Sequence, residues 1–122
     1  ASGGEISRIM LSIKSIISKY TKLASIVFDE IDTGISGLVS SKVGELMKYM
    51  SENMQVIVIT HTAQVASKGD FHFKVFKREQ NDKVITDTLL LSDKERVNEI
   101  AEMLSGDKSN KSANELANQL LN

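Results

Sequence analysis

The chain has 122 residues, 41% of them apolar and 25% charged, which is the composition of a globular protein with room for one domain and one modest core. Its 15 Lys and Arg nearly cancel its 16 Asp and Glu, and no basic run stands out, so nothing in it supplies an autonomous electrostatic grip on nucleic acid. It has no cysteine, which excludes disulfides, thiolate chemistry and cysteine–zinc sites and fits a reducing cytosol; it also has no apolar run long enough for a membrane span and no signal-peptide pattern.

The first stretch, SGGEISR, combines a capping pattern with a glycine pair. Ser2 followed three residues later by Glu5 is a capping box, and Ile6, Ile9, Met10, Ile13, Ile16, Ile17 and Tyr20 then recur at steps of three and four, which predicts a helix with one apolar stripe. Gly3 and Gly4 are poor helix openers unless the backbone must come close to something. A helix N-terminus with bare N–H groups suits an anion such as phosphate. An ordinary capped helix accounts for the same residues, since Ser92…Glu95 and Ser112…Glu115 repeat the spacing ahead of other periodic runs.

An apolar run, Leu23 to Phe28, reads as a strand buried on both faces and ends in Asp29-Glu30. A helix is expected from Gly37 to Ser51, with Val39, Val43, Leu46, Met47 and Met50 on one side. Val56 to Thr60 reads as a second buried strand, closing on His61, and a short helix, Thr62 to Lys68, is expected to stop at Gly69 as its C′ residue. The period then changes to two: Phe71, Phe73 and Val75 alternate with His72 and Lys74, and Lys83 to Leu91 is rich in β-formers, with EQND between them as a turn. This predicts an antiparallel hairpin. Helices over Asp93–Leu104 and Ser112–Leu121 complete the chain.

Apolar strands alternating with helices predict an α/β fold, with parallel strands flanked by helices and the hairpin and C-terminal helices appended. Ligands in such sheets sit at the carboxyl ends of the strands. Both parallel strands end there in chemically capable residues, Asp29-Glu30 and Thr60-His61. One carboxylate suits Mg²⁺ held through its water shell, and the next suits accepting a proton from, or orienting, an attacking water. His61 is placed to hydrogen-bond a terminal phosphate. For each residue alone, a solvated strand end or a surface histidine is the plainer account, and the loop Asp32–Ser36 reads as a strand-to-helix turn whose Ser36 caps the next helix.

In their order along the chain these pieces resemble the ABC-type ATPases. ASGGE (Ala1 to Glu5) is similar to the signature motif, with Ala where Leu is commonest; SIVFDE to the Walker B strand; DTGIS to the D-loop; and ITH to the switch-histidine segment. One helix separates signature from acidic strand, as that family requires. The wording ASGGEISRIM…FDEIDTGISG…ITHTAQVAS is similar, across essentially all 122 residues, to the SMC-like bacterial DNA-repair branch. The DEID tetrapeptide also resembles that of DExD helicases, which lack an SGGE helix upstream, and transporter ATPases usually read DEPTSALD.

The resemblance implies a partial P-loop NTPase fold: residues 1–122 as the C-terminal lobe of an ATPase head, without the lobe that carries the phosphate-cradling G-x-x-x-x-G-K-[ST] loop. That string is nowhere in the sequence; Gly106-Asp107-Lys108-Ser109 has an inserted Asp and lacks the earlier glycine. The cofactors implied are ATP and Mg²⁺. The partners implied are the missing N-terminal lobe, a second head in a homodimer, and DNA through the intact protein, with no membrane. Ser2, Gly3, Gly4 and Glu5 would meet ATP bound on the opposite head, Asp29 would support Mg²⁺, and Glu30 would polarise the hydrolytic water. His61 would contact the γ-phosphate, and Asp32 with its loop would cross the dimer seam. The setting implied is double-strand-break repair in the bacterial cytoplasm, at the nucleoid, with the 122-residue chain inactive by itself. A non-catalytic dimerisation module is the alternative from another class.

Overall fold

The computed structural model describes residues 3–106 and 110–122, and Ala1 and Ser2 lie outside them, as do Asp107, Lys108 and Ser109. The chain divides into two compact units, Ala1–Lys68 and Gly69–Asn122.

The first unit contains α1 (Gly3–Tyr20), β1 (Ser25–Asp29), α2 (Gly37–Met50), β2 (Gln55–Ile59) and the single turn α3 (Ala63–Ala66). β1 and β2 pair in parallel, with Ser25 opposite Gln55 and Asp29 opposite Ile59. β1 therefore begins later than the apolar run suggests and takes in Asp29. Ile26 and Phe28 are buried with Leu11, Val43, Met47, Met50 and Val65, and Val56 and Val58 pack against that cluster. The Lys14 ammonium lies 5.5 Å from the Phe28 ring centroid, a cation–π contact from α1 onto the strand.

Burial on both faces of the strands is not what the structure has. Val27 is 52% exposed and Ile57 45%, because the residues packed on β1 and β2 gather on the Ile26–Phe28 face. The α1 stripe differs for the same reason. Among the described side chains of α1, Leu11 enters the core, whereas Ile9, Ile13, Ile16 and Ile17 are exposed. Periodicity fixes that a helix forms, and tertiary neighbours fix which side of it is covered.

α2 starts on Ser36, whose side chain accepts a hydrogen bond from the Val39 N–H at 3.4 Å, as the cap reading expects. Gly44 sits where α2 meets α3: a Cβ there would come 3.2 Å from the Gln64 carbonyl oxygen and 3.4 Å from Val65 Cα. α3 is shorter than expected and its C-cap is Ser67 in the right-handed region, so Gly69 is not its C′ residue.

The second unit is a hairpin followed by two helices. β3 (Phe73–Gln80) and β4 (Lys83–Leu90) pair antiparallel from Phe73–Leu90 to Gln80–Lys83. The turn is Asn81-Asp82, both at positive φ (51° and 59°), the conformation of a type I′ turn whose twist matches that of the strands. Phe71, Phe73 and Val75 stand exposed, and the polar alternates face the helix: Lys74 pairs with Glu99 of α4 (Asp93–Ser105) and lies 3.8 Å from Glu102. α4 opens with the expected capping box of Ser92 and Glu95 and closes on Gly106 at φ 71°. α5 (Lys111–Leu121) is capped by Asn110, whose side-chain oxygen accepts from the Ala113 N–H at 2.8 Å. The Ser112…Glu115 spacing is therefore not a capping box: the helix starts at Lys111, and Asn110, one residue before it, is the cap.

Candidate functional site

The parallel pairing places the two polar strand ends side by side. Asp29 closes β1 opposite Ile59, the Glu30 N–H donates to the Ile59 carbonyl at 2.8 Å, and Thr60-His61 follow directly on the neighbouring strand. The carboxyl end of this sheet thus gathers Asp29, Glu30, Thr60 and His61, as the strand-end reading expects. Asp29, Glu30 and His61 are all exposed, open to a ligand from solvent.

Glu30 adopts φ 49°, one of three non-glycine residues in the left-handed region among the described residues. An L-residue there costs about 1–2 kcal/mol, and a long unbranched carboxylate gains nothing locally from it. The geometry persists because both backbone groups of Glu30 are engaged: its N–H with Ile59, and its carbonyl with the Thr33 N–H at 3.4 Å and the Thr33 hydroxyl at 3.0 Å. Strained residues held by their surroundings cluster at functional sites, and this one directly follows Asp29 at the strand end.

Asp32 stands differently from its neighbours. It is 1% exposed, and its Oδ2 accepts hydrogen bonds from the hydroxyls of both Thr60 and Thr62, the residues on either side of His61. The Thr62 N–H donates to Thr60 Oγ1 at 3.0 Å, closing a small turn around the histidine. The Thr60 and Thr62 oxygens are 3.2 Å apart, but with both protons directed to Asp32 that separation adds no further bond. The exposed residues of the Asp32–Ser36 loop are Thr33, Gly34 and Ser36, with Gly34 at φ 73°. Sequence reasoning missed Thr62, which reads as a mere helix start. The available signal is the T-H-T pattern, two hydroxyls bracketing a histidine one loop away from an otherwise unpaired aspartate.

Gly3, Gly4 and Glu5 open α1, an 18-residue helix, and so stand at the positive end of its dipole; the Ser2 expectation lies outside the described residues. Among the described residues no group of three His, Asp or Glu side chains lies close enough to hold a metal ion. The exposed carboxylates of Asp29 and Glu30 are a donor set that fits Mg²⁺, because magnesium takes one or two carboxylates and completes its shell with water and phosphate oxygens.

Comparison with known proteins bears on what this arrangement belongs to. No protein-family model matches the chain. It is 43% identical over 121 residues to the DNA repair protein RecN of Halalkalibacterium halodurans, across 99% of this chain and 21% of that protein. It is 48% identical over 123 residues to RecN of Rickettsia conorii, across 99% of this chain and 22% of that one. Nearly the whole chain thus matches one segment of RecN proteins, about a fifth of their length. It is 41% identical over 121 residues to RecN of Deinococcus radiodurans as well, and it spans 21% of that relative's length.

Solved structures agree on the fold. The Smc head domain with a coiled coil and joint from Pyrococcus yayanosii superposes with a TM-score of 0.69 at 22% identity, over 87% of this chain and 19% of that one. A chain from work on ATP-driven dimerization and DNA-stimulated activation of SMC ATPases gives 0.61 at 24% identity, over 78% and 56%. An Smc head bound to the C-winged helix domain of ScpA gives 0.59 at 26% identity, over 75% and 27%. The fold is that of an SMC ATPase head, a P-loop NTPase-like mixed α/β fold.

Proposed function

We propose that this RecN segment is the C-terminal lobe of an ATPase head that binds and hydrolyses ATP between two dimerised heads, and so controls the holding of DNA during double-strand-break repair. The observation that carries the reading is the parallel β1–β2 pairing, which sets Asp29 and Glu30 beside Thr60 and His61 at one end of the sheet. The match to RecN proteins and the SMC-head fold support it.

In this reading Asp29 supports Mg²⁺ through water, and the ion when bound neutralises charge on the transferring phosphate. Glu30, at the strained turn, accepts a proton from the attacking water or orients it. His61 hydrogen-bonds the terminal phosphate on the same head. The start of α1, with Ser2, Gly3, Gly4 and Glu5, meets the ATP of the opposite head through backbone N–H groups and the positive end of the helix dipole. The loop that Asp32 anchors crosses the dimer seam through its exposed Thr33 and Gly34. Both compact units belong to that lobe, and the working location is the bacterial cytoplasm at the nucleoid.

The chain carries no phosphate-cradling loop, so by itself it binds ATP weakly and does not turn it over. The test is steady-state, Mg²⁺-dependent ATP hydrolysis by this chain alone and by a full-length RecN protein carrying it, with Glu30→Gln in the latter. Silence alone, turnover when whole, and loss of turnover with retained ATP-dependent dimerisation in Glu30→Gln are the expected results. Near-normal turnover in Glu30→Gln would remove Glu30 from the chemistry.

A further inference from the structure

We infer that Asp32 is a positioning residue that ties the loop after β1 to the loop after β2, so that Glu30 and His61 are held as one rigid pair. The inference rests on the ATPase reading for its consequence in catalysis, but its physical basis is independent of it.

Asp32 lies two residues beyond Glu30 and is almost completely buried, yet it has no cationic partner among the described ion pairs. Its Oδ2 takes two hydroxyl protons, and its Oδ1 has no hydrogen-bond partner. Burying a carboxylate with one oxygen unmatched is costly, and an apolar residue at position 32 would fill the same space without that cost. What an apolar residue cannot do is grip both flanks of His61. Thr60 and Thr62 sit on either side of that histidine, and both hydroxyls converge on one oxygen of one residue in the opposite loop. A single hydroxyl would allow the His61 turn to pivot about one bond. Two, with the Thr62 N–H to Thr60 Oγ1 bond closing the turn, leave it no such freedom.

The other side is fixed as well. Glu30 is held by Ile59 and Thr33, so the chain from 29 to 33 is bonded at its start to the end of β2 and at Asp32 to the residues just beyond that end. The loops are thereby joined at two levels. His61 itself remains exposed, with both neighbours anchored, which is the arrangement expected of a side chain that must meet a ligand at a fixed place. Misplacement of a catalytic group by about 1 Å costs on the order of 100-fold in rate, so loosening this joint is expected to act on turnover and not on ATP binding.

The test uses a full-length RecN protein carrying this segment. The double variant Thr60→Val/Thr62→Val keeps side-chain shape and removes both donors, and Thr60→Ser/Thr62→Ser keeps the donors. Expected are a fall in kcat of about 10- to 100-fold in the Val pair with KM changed less than about twofold, and recovery in the Ser pair. Hydrogen–deuterium exchange of the same proteins is expected to speed up in both segments, 30–34 and 60–63, in the Val pair. The single Val variants give the same readouts if the pair fails to fold. Unchanged exchange at 30–34 in the Val pair, or a kcat within about twofold of the parent while Glu30→Gln abolishes turnover, overturns the inference and leaves the ATPase reading standing. Turnover that survives Glu30→Gln refutes the catalytic reading instead, and exchange alone then decides whether Asp32 joins the loops.

Discussion

Replacing Glu30 by glycine should make the protein more stable than replacing it by alanine, although both lose the carboxylate. Glu30 sits at φ 49°, and its hydrogen bonds to Ile59 and Thr33 are made by backbone groups that either replacement keeps. The side chain is exposed, so Gly and Ala forfeit the same contacts, and the difference between them isolates the backbone conformation. Alanine retains the left-handed penalty of about 1–2 kcal/mol, and glycine does not. Glycine in turn gives up about 0.4–1 kcal/mol through the greater freedom of its unfolded chain. The net expectation is Gly above Ala by ~0.5–1 kcal/mol, with Asn between them because it tolerates that region. Urea unfolding at matched slopes reads this directly as a shift in midpoint. Turnover in the full-length protein should be lost in all of these variants, so stability and activity move in opposite directions for glycine. If glycine is no more stable than alanine, residue 30 is not held in a strained conformation, and the strained turn is not what aims the carboxylate.

The hairpin gives a second expectation: Asp82→Gly, at the second residue of a turn with φ 59°, should stabilise the second unit by ~0.5–1 kcal/mol, read as slower hydrogen exchange across β3 and β4. The third concerns pH. His72 is held below its ordinary value of 6.5, first by burial and then by the Arg96 charge, with Lys74 acting the same way and Glu99 opposing. The unfolded chain therefore takes up a proton at a higher pH than the folded one, so stability from this group is full above about 6.5 and is lost as pH falls through the lower folded value. His72→Gln should flatten that part of the melting-temperature profile, while Glu95, lowered by the Ser92 backbone N–H, and Asp87, lowered by that of Thr88, keep the same sign at more acid pH.

Local chemistry made much of this protein legible before any coordinates. The change from a three-to-four step to a two-step period separates α1 from the hairpin, because each element repeats its exposure at its own pitch. Ser36 and Ser92 mark helix starts because their side chains can accept the N–H groups left over there. The order of glycine-led helix, acidic strand and histidine strand carries the resemblance, and parallel pairing follows from a helix between apolar strands.

Tertiary structure decided the rest. Ile9, Ile13 and Val27 look as suited to a core as Leu11 and Phe28 do, and only the positions of neighbouring elements determine which are covered. Asp32 reads in sequence as the first residue of a strand-to-helix turn, which the resemblance carries across a dimer seam. Its inward turn onto Thr60 and Thr62 depends on a parallel register that brings residues nearly thirty positions apart within hydrogen-bond reach. Periods and caps act over a few residues, whereas a bond between two loops exists only once the strands beneath them have paired.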